Sequence, residues 1–240
     1  MLNKFKKGLL FFLLLLAFSC TSRQEINLNL DGSGSLDLKV ELASVFVNYL
    51  YDIAEATTEI KSRKDMVIFD AGELKASLEK YPEIVIEQIL SGSQNSLELK
   101  LKCRNIASLS AGISQDSRQP LFTFNNRNGV KEFRFLLSKS NYNDIKKFFP
   151  LLNEALFENL EPQVNETVSK EDYLDIVEFA MDKEGRKAVL DSMIDVKIKV
   201  QGKILSLQGG TLKDGVINIR IPLIDVLLLN QPVAFSVKFQ

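Results

Sequence analysis

The feature that most constrains this chain is the alternation of apolar and polar residues at both of its ends. Ile26, Leu28 and Leu30 alternate with Asn27 and Asn29, and Leu36, Leu38 and Val40 alternate with Asp37 and Lys39, on either side of Asp31-Gly32-Ser33-Gly34-Ser35. A period of two places every second side chain on one face of a strand, and Asp-Gly is a tight-turn dipeptide, so this segment reads as a β-hairpin. Near the other end Ile194, Val196, Ile198 and Val200 alternate with Asp195, Lys197 and Lys199. Residues 203–207 continue past Gly202, Val216, Ile219 and Ile221 follow Asp214-Gly215, and Val233, Phe235, Val237 and Phe239 share one face of a last strand. A chain that opens and closes on strands is expected to pair them, with the C-terminal strand beside the opening hairpin.

Between these ends the period changes. Leu42, Val45, Phe46, Tyr49, Leu50, Ile53 and Ala54 make one apolar stripe of a helix running to about residue 58, expected to lie across the sheet. Its aromatic residues suit a core-facing stripe or, alternatively, the lining of a ligand groove. Residues 60–64 read as a charged connector and 70–80 as a second helix stopped by Pro82. Residues 84–90, Ser91-Gly92-Ser93 and 96–103 make a second hairpin, and 121–125, Asn126-Arg127-Asn128-Gly129 and 130–137 a third, with a Ser/Gly-rich loop expected over 107–120. Residues 141–149 and 151–160 read as helices hinged at Pro150, or with Pro150 in the first turn of the second, and 162–167 as a polar linker. Ser169 reads as an N-cap with Asp172 in the third helical position; Tyr173, Leu174, Ile176, Val177, Ala180 and Met181 form the stripe, and Gly185 ends or interrupts that helix before 186–192. Residues 223–229 read as a short apolar turn or helix. The expected fold is α+β: an antiparallel sheet built from hairpins, N- and C-terminal strands paired, helices packed on one side, and a mostly helical block at about 140–192.

Ahead of the first hairpin, Lys4, Lys6 and Lys7 precede an unbroken apolar run, 9–18, that ends in Ala17-Phe18-Ser19-Cys20. A basic n-region and a short apolar h-region form an export signal, and the run is shorter than the roughly 18 residues of a membrane span. Ser19 immediately before Cys20 resembles the lipobox of bacterial lipoproteins, with the bulkier Phe18 in the manner of looser, spirochaete-type lipoboxes. That resemblance implies that the Cys20 thiol receives a diacylglycerol, that residues 1–19 are removed, and that the new amino group is acylated. The alternative is a plain secretory signal with an incidental cysteine. Cleavage before Cys20 leaves 221 of 240 residues: the acylated cysteine with a short tether at 20–25, then one α+β envelope domain at 26–240. Without the three n-region lysines, 27 basic residues face 31 acidic ones, which argues against nucleic acid or an anionic lipid surface as the main partner. Membrane attachment through Cys20 is covalent instead, at about 0.8 kcal/mol per buried methylene.

Residue types that are missing restrict the chemistry further. The chain contains no histidine and no tryptophan, which excludes Ser-His-Asp and Cys-His nucleophilic machinery, His-rich catalytic zinc sites and an imidazole base near neutrality. Only two cysteines exist, so an acylated Cys20 leaves Cys103 without a disulfide partner. Cys103 ends the apolar face of Leu97, Leu99 and Leu101, which suits a buried, inert thiol better than a reactive one. Ser77-Leu78-Glu79-Lys80 fits the S-x-x-K pattern of penicillin-binding enzymes, but the companion Ser-Asp-Asn and Lys-Thr-Gly motifs are absent. Asp31, Ser33 and Ser35 are spaced like the first ligands of a calcium loop, yet Leu36 and Leu42 occupy the positions where such a loop requires Gly and Glu. Asn165-Glu166-Thr167 matches a glycosylation acceptor that has little meaning in a bacterial lipoprotein. No metal site, cofactor or catalytic residue is expected.

Ser169-x-x-x-Tyr173, the strand 194–200, Gly202-Lys203-Ile204, Gly209-Gly210-Thr211, Ile221-Pro222-Leu223, Asp225-x-Leu227 and Pro232 together resemble the C-terminal part of LppM-type bacterial lipoproteins. The hairpin with Asp31-Gly32-Ser33-Gly34 directly after the lipobox is similar to that family's start. Gln201-Gly202 stands where the family has Pro-Gly. The resemblance implies a lipid-anchored α+β domain of the cell envelope with no established catalytic residues. The function expected from these features is non-enzymatic binding of a lipid or an envelope protein, in the periplasm or at the cell surface, with apolar helix stripes enclosing a groove. A structural or assembly partner acting through strand edges or residues 223–229, and a hydrolase of unrecognised type, are the alternatives.

Overall fold

In the computed structural model, residues 22–57, 67–93, 95–114, 119–148 and 168–240 are described, and they build eleven strands and six helices. The signal segment with Cys20, the connector at 60–64, the expected helix at 151–160 and the linker at 162–167 lie outside them. In chain order the elements are β1 (Ser22–Leu28), β2 (Gly34–Glu41), α1 (Ser44–Thr57), α2 (Ala71–Leu78), β3 (Ile84–Ser93), β4 (Ser96–Cys103), α3 (Ile106–Ile113), β5 (Phe122–Arg127) and β6 (Val130–Leu137). Then follow α4 (Tyr142–Phe148), α5 (Lys170–Asp191), β7 (Met193–Val200), β8 (Ile204–Gln208), β9 (Thr211–Lys213), β10 (Val216–Pro222), α6 (Leu223–Leu228) and β11 (Val233–Phe239). The fold is α+β.

The strands form two sheets, one of seven strands in the order β3-β4-β2-β1-β7-β10-β9 and one of four in the order β5-β6-β11-β8. All pairs are antiparallel except β1 with β7, which run parallel from Ser22 opposite Ile194 to Leu28 opposite Val200. Register aligns the apolar residues of the large sheet on one face: Leu99 opposite Leu38, Leu36 opposite Ile26, Ile26 opposite Ile198, and Ile198 opposite Ile217. The other face carries the intervening charges, in ion pairs such as Lys39–Glu98 at 2.8 Å, Arg220–Asp195 at 3.0 Å and Lys100–Asp37 at 3.5 Å. These pairs are solvent-exposed and each contributes little to stability, but together they keep that face in water.

The apolar face is therefore the one that must be covered, and two different layers cover it. Over β2, β4 and the start of β7, a helical core joins Leu38, Val40, Leu97, Leu99 and Ile194 to Phe46 and Leu50 of α1, Leu78 of α2 and Val177 of α5. At the other end the small sheet takes over, with Phe124, Phe133, Phe235, Val237 and Phe239 packed on Leu28, Ile198 and Ile217. Phe124 meets Phe239 edge-on at 6.2 Å, the arrangement that ring quadrupoles favour.

Five expectations are corrected by this arrangement. The C-terminal strand does not join the opening hairpin: β1 already has β2 on one side and β7 on the other, so β11 pairs with β6 and β8 in the small sheet. The apolar face is not covered by helices alone, because the third hairpin, β5–β6, leaves the large sheet and packs on it. The tether at 20–25 is shorter than expected, since Ser22–Glu25 are already in β1; Arg23 faces solvent, and the backbone pairs on both edges regardless of polarity. Within 107–120, read as a loop, lies α3; the Asn105 side chain caps it by accepting from the Ser108 N–H at 2.9 Å, and Ile106, Leu109 and Ile113 enter the core.

The fifth correction concerns α5. It breaks at Met181 and Asp182, where Asp182 takes φ 55°, and not at Gly185. The second half turns back, so that Arg186 reaches Glu171, Asp175 and Glu178 of the first half. A straight helix would hold Arg186 and Glu171 more than about 20 Å apart. Gly185 permits the close return, because a Cβ there would stand 2.3 Å from Cβ of Met181.

The two sheets are joined where β8 of the small sheet hands over to β9 of the large one at Gly209-Gly210. Gly209 has φ +79°, and a Cβ on it would lie 2.4 Å from the Ala234 carbonyl oxygen, so only glycine fits the crossing.

Candidate functional site

Sheet and helices cover the apolar face from opposite ends, and where the two layers meet they do not close. A cavity of about 740 Å³ remains between them. Its floor is the large sheet, through Ile26, Leu36, Val196, Ile198, Ile219 and Ile221. Its roof is the small sheet, through Phe133, Phe135 and Phe235, and Ile145 of α4 with Val226 and Leu228 of α6 line it as well. Ile26, Leu36, Val196, Ile219 and Phe135 point inward and yet are only half-buried, whereas Leu28, Ile217 and Val237 nearby are fully buried. The volume falls in the range of small-molecule pockets, which is about 300–1,000 Å³.

Polar groups are concentrated at the rim. Lys170, Asp225, Asn230, Gln231 and Pro232 border the cavity and are exposed. The rim is braced: Leu229 adopts φ 44° to end α6 with its N–H on the Asp225 carbonyl, and Asn230 Nδ2 donates to the Val168 carbonyl at 2.8 Å. Arg220 borders the site from the outer face, where Nε donates to Asp195. On the floor, Gln24 is the polar residue in an otherwise hydrocarbon row. The interior thus suits an apolar body and the rim a polar end, which is the shape of an amphiphile.

The other residues singled out from the sequence lie elsewhere. Cys20 is outside the described residues. Cys103 is a free, half-buried cysteine between the two cores, and burial pushes its thiol up, which keeps it protonated and unreactive. Ser77 is buried beneath α2 while Lys80 is exposed in the turn after it, so the S-x-x-K pair does not converge on a pocket. Asp31 Oδ1 accepts from the Ser33 N–H at 2.8 Å and from its hydroxyl at 2.7 Å, and these bonds hold the carboxyl below its usual range; the segment is an Asx turn. Residues 223–229, considered as a docking surface, are mostly core: Leu223, Ile224, Val226, Leu227, Leu228 and Leu229 are buried. The groove expected from helix stripes is formed mainly by the two sheets instead, because the stripes of α1 and α5 are spent in the helical core.

Among the described residues, no group of three or more Cys, Asp or Glu could hold a metal ion, and no helix is long and apolar enough to cross a membrane. No family model and no curated protein matches the chain. Among solved structures, the NMR structure of the folded domain of LppM from Mycobacterium tuberculosis is similar, with a TM-score of 0.42 at 7% sequence identity, covering 92% of this chain and 88% of that chain.

Proposed function

We propose that this chain is a bacterial lipoprotein anchored to a membrane of the cell envelope through acylated Cys20, and that its domain holds a lipid in the cavity between the two sheets. The observation that carries the reading is the cavity itself, with hydrocarbon walls, a volume of about 740 Å³ and polar groups at the rim. A lipid chain desolvated there gains about 0.8 kcal/mol per methylene, and no catalytic group is assigned to it. The domain faces the periplasm or the cell surface, on the side to which the signal exports it.

Two measurements test this. Mass spectrometry of the N-terminal peptide should find acylated Cys20 in the natural chain and no acyl group on the peptide of Cys20→Ala. Native mass spectrometry of the domain purified from membranes should find a bound lipid that organic extraction removes and added lipid restores. An N-terminus without acyl groups refutes the anchor, and a domain that retains and takes up no lipid refutes the carrier role.

A further inference from the structure

Resting on that reading, we infer that the mouth of the cavity is presented to the membrane in which Cys20 is anchored, so that the ligand passes directly between the bilayer and the cavity. The register of three neighbouring strands carries the inference. Ser22 of β1 is opposite Ile194 of β7, and Ile194 is opposite Ile221 of β10. Strands are about 4.8 Å apart, so Ser22 and Ile221 are roughly 10 Å apart at one end of the large sheet. Ile194, Ile221 and Pro222 border the cavity, and α6 and the 229–232 loop that follow form its rim, with Lys170 beside them. The mouth is therefore at the end of the sheet from which β1 starts. Thr21 alone separates Ser22 from Cys20, which limits Cys20 to about 7 Å from Ser22 in Cα distance. An acylated Cys20 sits at the membrane surface, and a leash this short, running into a strand held on both edges, keeps the rim at that surface too.

Other features of the same end agree with a lipid surface as the occupant. β2 is antiparallel to β1 and so finishes at this end, where α1 begins. The first turns of α1, through Val45 and Asn48, share a surface groove with the tip of the α5 hairpin; the groove is edged by Asp52, Glu178, Asp182 and Glu184, and the ring that stands out beside it, Phe179, is 94% exposed. An aromatic ring in open water is costly, and at the level of lipid headgroups it is not. The turns Asp31-Gly32, Asn128-Gly129 and Asp214-Gly215 lie at the opposite end, while the Ser93–Ser96 turn shares the end from which β1 starts.

The test uses the full chain, acylated at Cys20 and carrying Cys103→Ser, in vesicles of phosphatidylcholine and phosphatidylglycerol. A single cysteine is placed at the rim by Gln231→Cys or at the far end by Lys213→Cys, and each is labelled with an environment-sensitive fluorophore. The two sites are separated by the seven residues of β10, about 20 Å, beyond the reach of a headgroup quencher. Nitroxide-headgroup lipids should quench and shift the emission of the label at 231 and leave that at 213 unchanged. Equal quenching at the two sites, or stronger quenching at 213, overturns the inference. Lipid retention is measured on the protein labelled at 213, away from the cavity: quenching at 231 with no lipid retained by that protein overturns the carrier reading and leaves the orientation standing, whereas retained lipid with equal quenching overturns the orientation alone. An unacylated Cys20 in this preparation overturns the anchor and the orientation with it.

Discussion

Val196 is at the centre of the cavity floor, on a strand flanked by β1 and β10, and Val196→Phe fills part of the space above it. In a filled core, a substitution that adds about four carbons forces neighbours aside and costs about 1–3 kcal/mol. Val196 instead faces about 740 Å³ of unfilled space. At about 0.8 kcal/mol per buried carbon, full burial of the added atoms is worth at most about 3 kcal/mol, and a ring that stays partly open to the mouth gains roughly half of that. The lipid-free Val196→Phe domain should therefore be more stable than the natural one by about 1–1.5 kcal/mol, read as a higher urea midpoint at unchanged slope. The same ring occupies the place proposed for the lipid, so uptake of a fluorescent fatty acid should fall. Stabilisation and lost uptake must occur together. A domain destabilised by more than about 1 kcal/mol would show that the floor is already in contact with its roof and refute the reasoning.

Gly209→Ala should destabilise the domain by on the order of 2 kcal/mol or more in urea denaturation, since the residue would need both a positive φ and room that the Ala234 carbonyl occupies. Arg186→Ala should lower stability by an amount that shrinks as salt is added, because it releases three carboxylates held across the α5 hairpin; salt-independent loss would mean that the hairpin is held by other contacts. Cys103 should react with thiol reagents far more slowly in the folded than in the unfolded chain. Because its folded pKa is raised, the thiol favours the folded state below the unfolded value of about 8.5 and that contribution is lost as pH rises beyond it; Cys103→Ser should lose this alkaline decline in denaturation curves.

Local structure was legible in the sequence wherever a period or a turn residue spoke for it. All three hairpins are present, Ser169 caps α5 as expected, Asp70, read as the first residue of the second helix, is its N-cap, and the last strand spans Val233–Phe239 as the alternation requires. α3 was missed because serines and a glycine surround its apolar residues, although Ile106, Leu109 and Ile113 have helical spacing. Strand partnership was not legible. Nothing in the alternation of β11 distinguishes a place beside β1 from a place beside β6; the edge of β1 that β2 leaves is occupied by β7. The cavity was equally invisible, because Val196 or Ile219 reads as a core residue whether or not anything packs on it. A void is a property of two layers that fail to meet, and each layer is encoded by a different part of the chain.

The central place of β1 has a mechanical meaning. A pull on the anchor proposed at Cys20 would enter the domain at Ser22 and run along a strand bonded to β2 on one edge and to β7 on the other. The load is directed along the strand, so it shears both ladders at once and does not peel them bond by bond from an exposed end. With the proposed tether at Cys20, release of the leash would require both ladders of β1 to give way together.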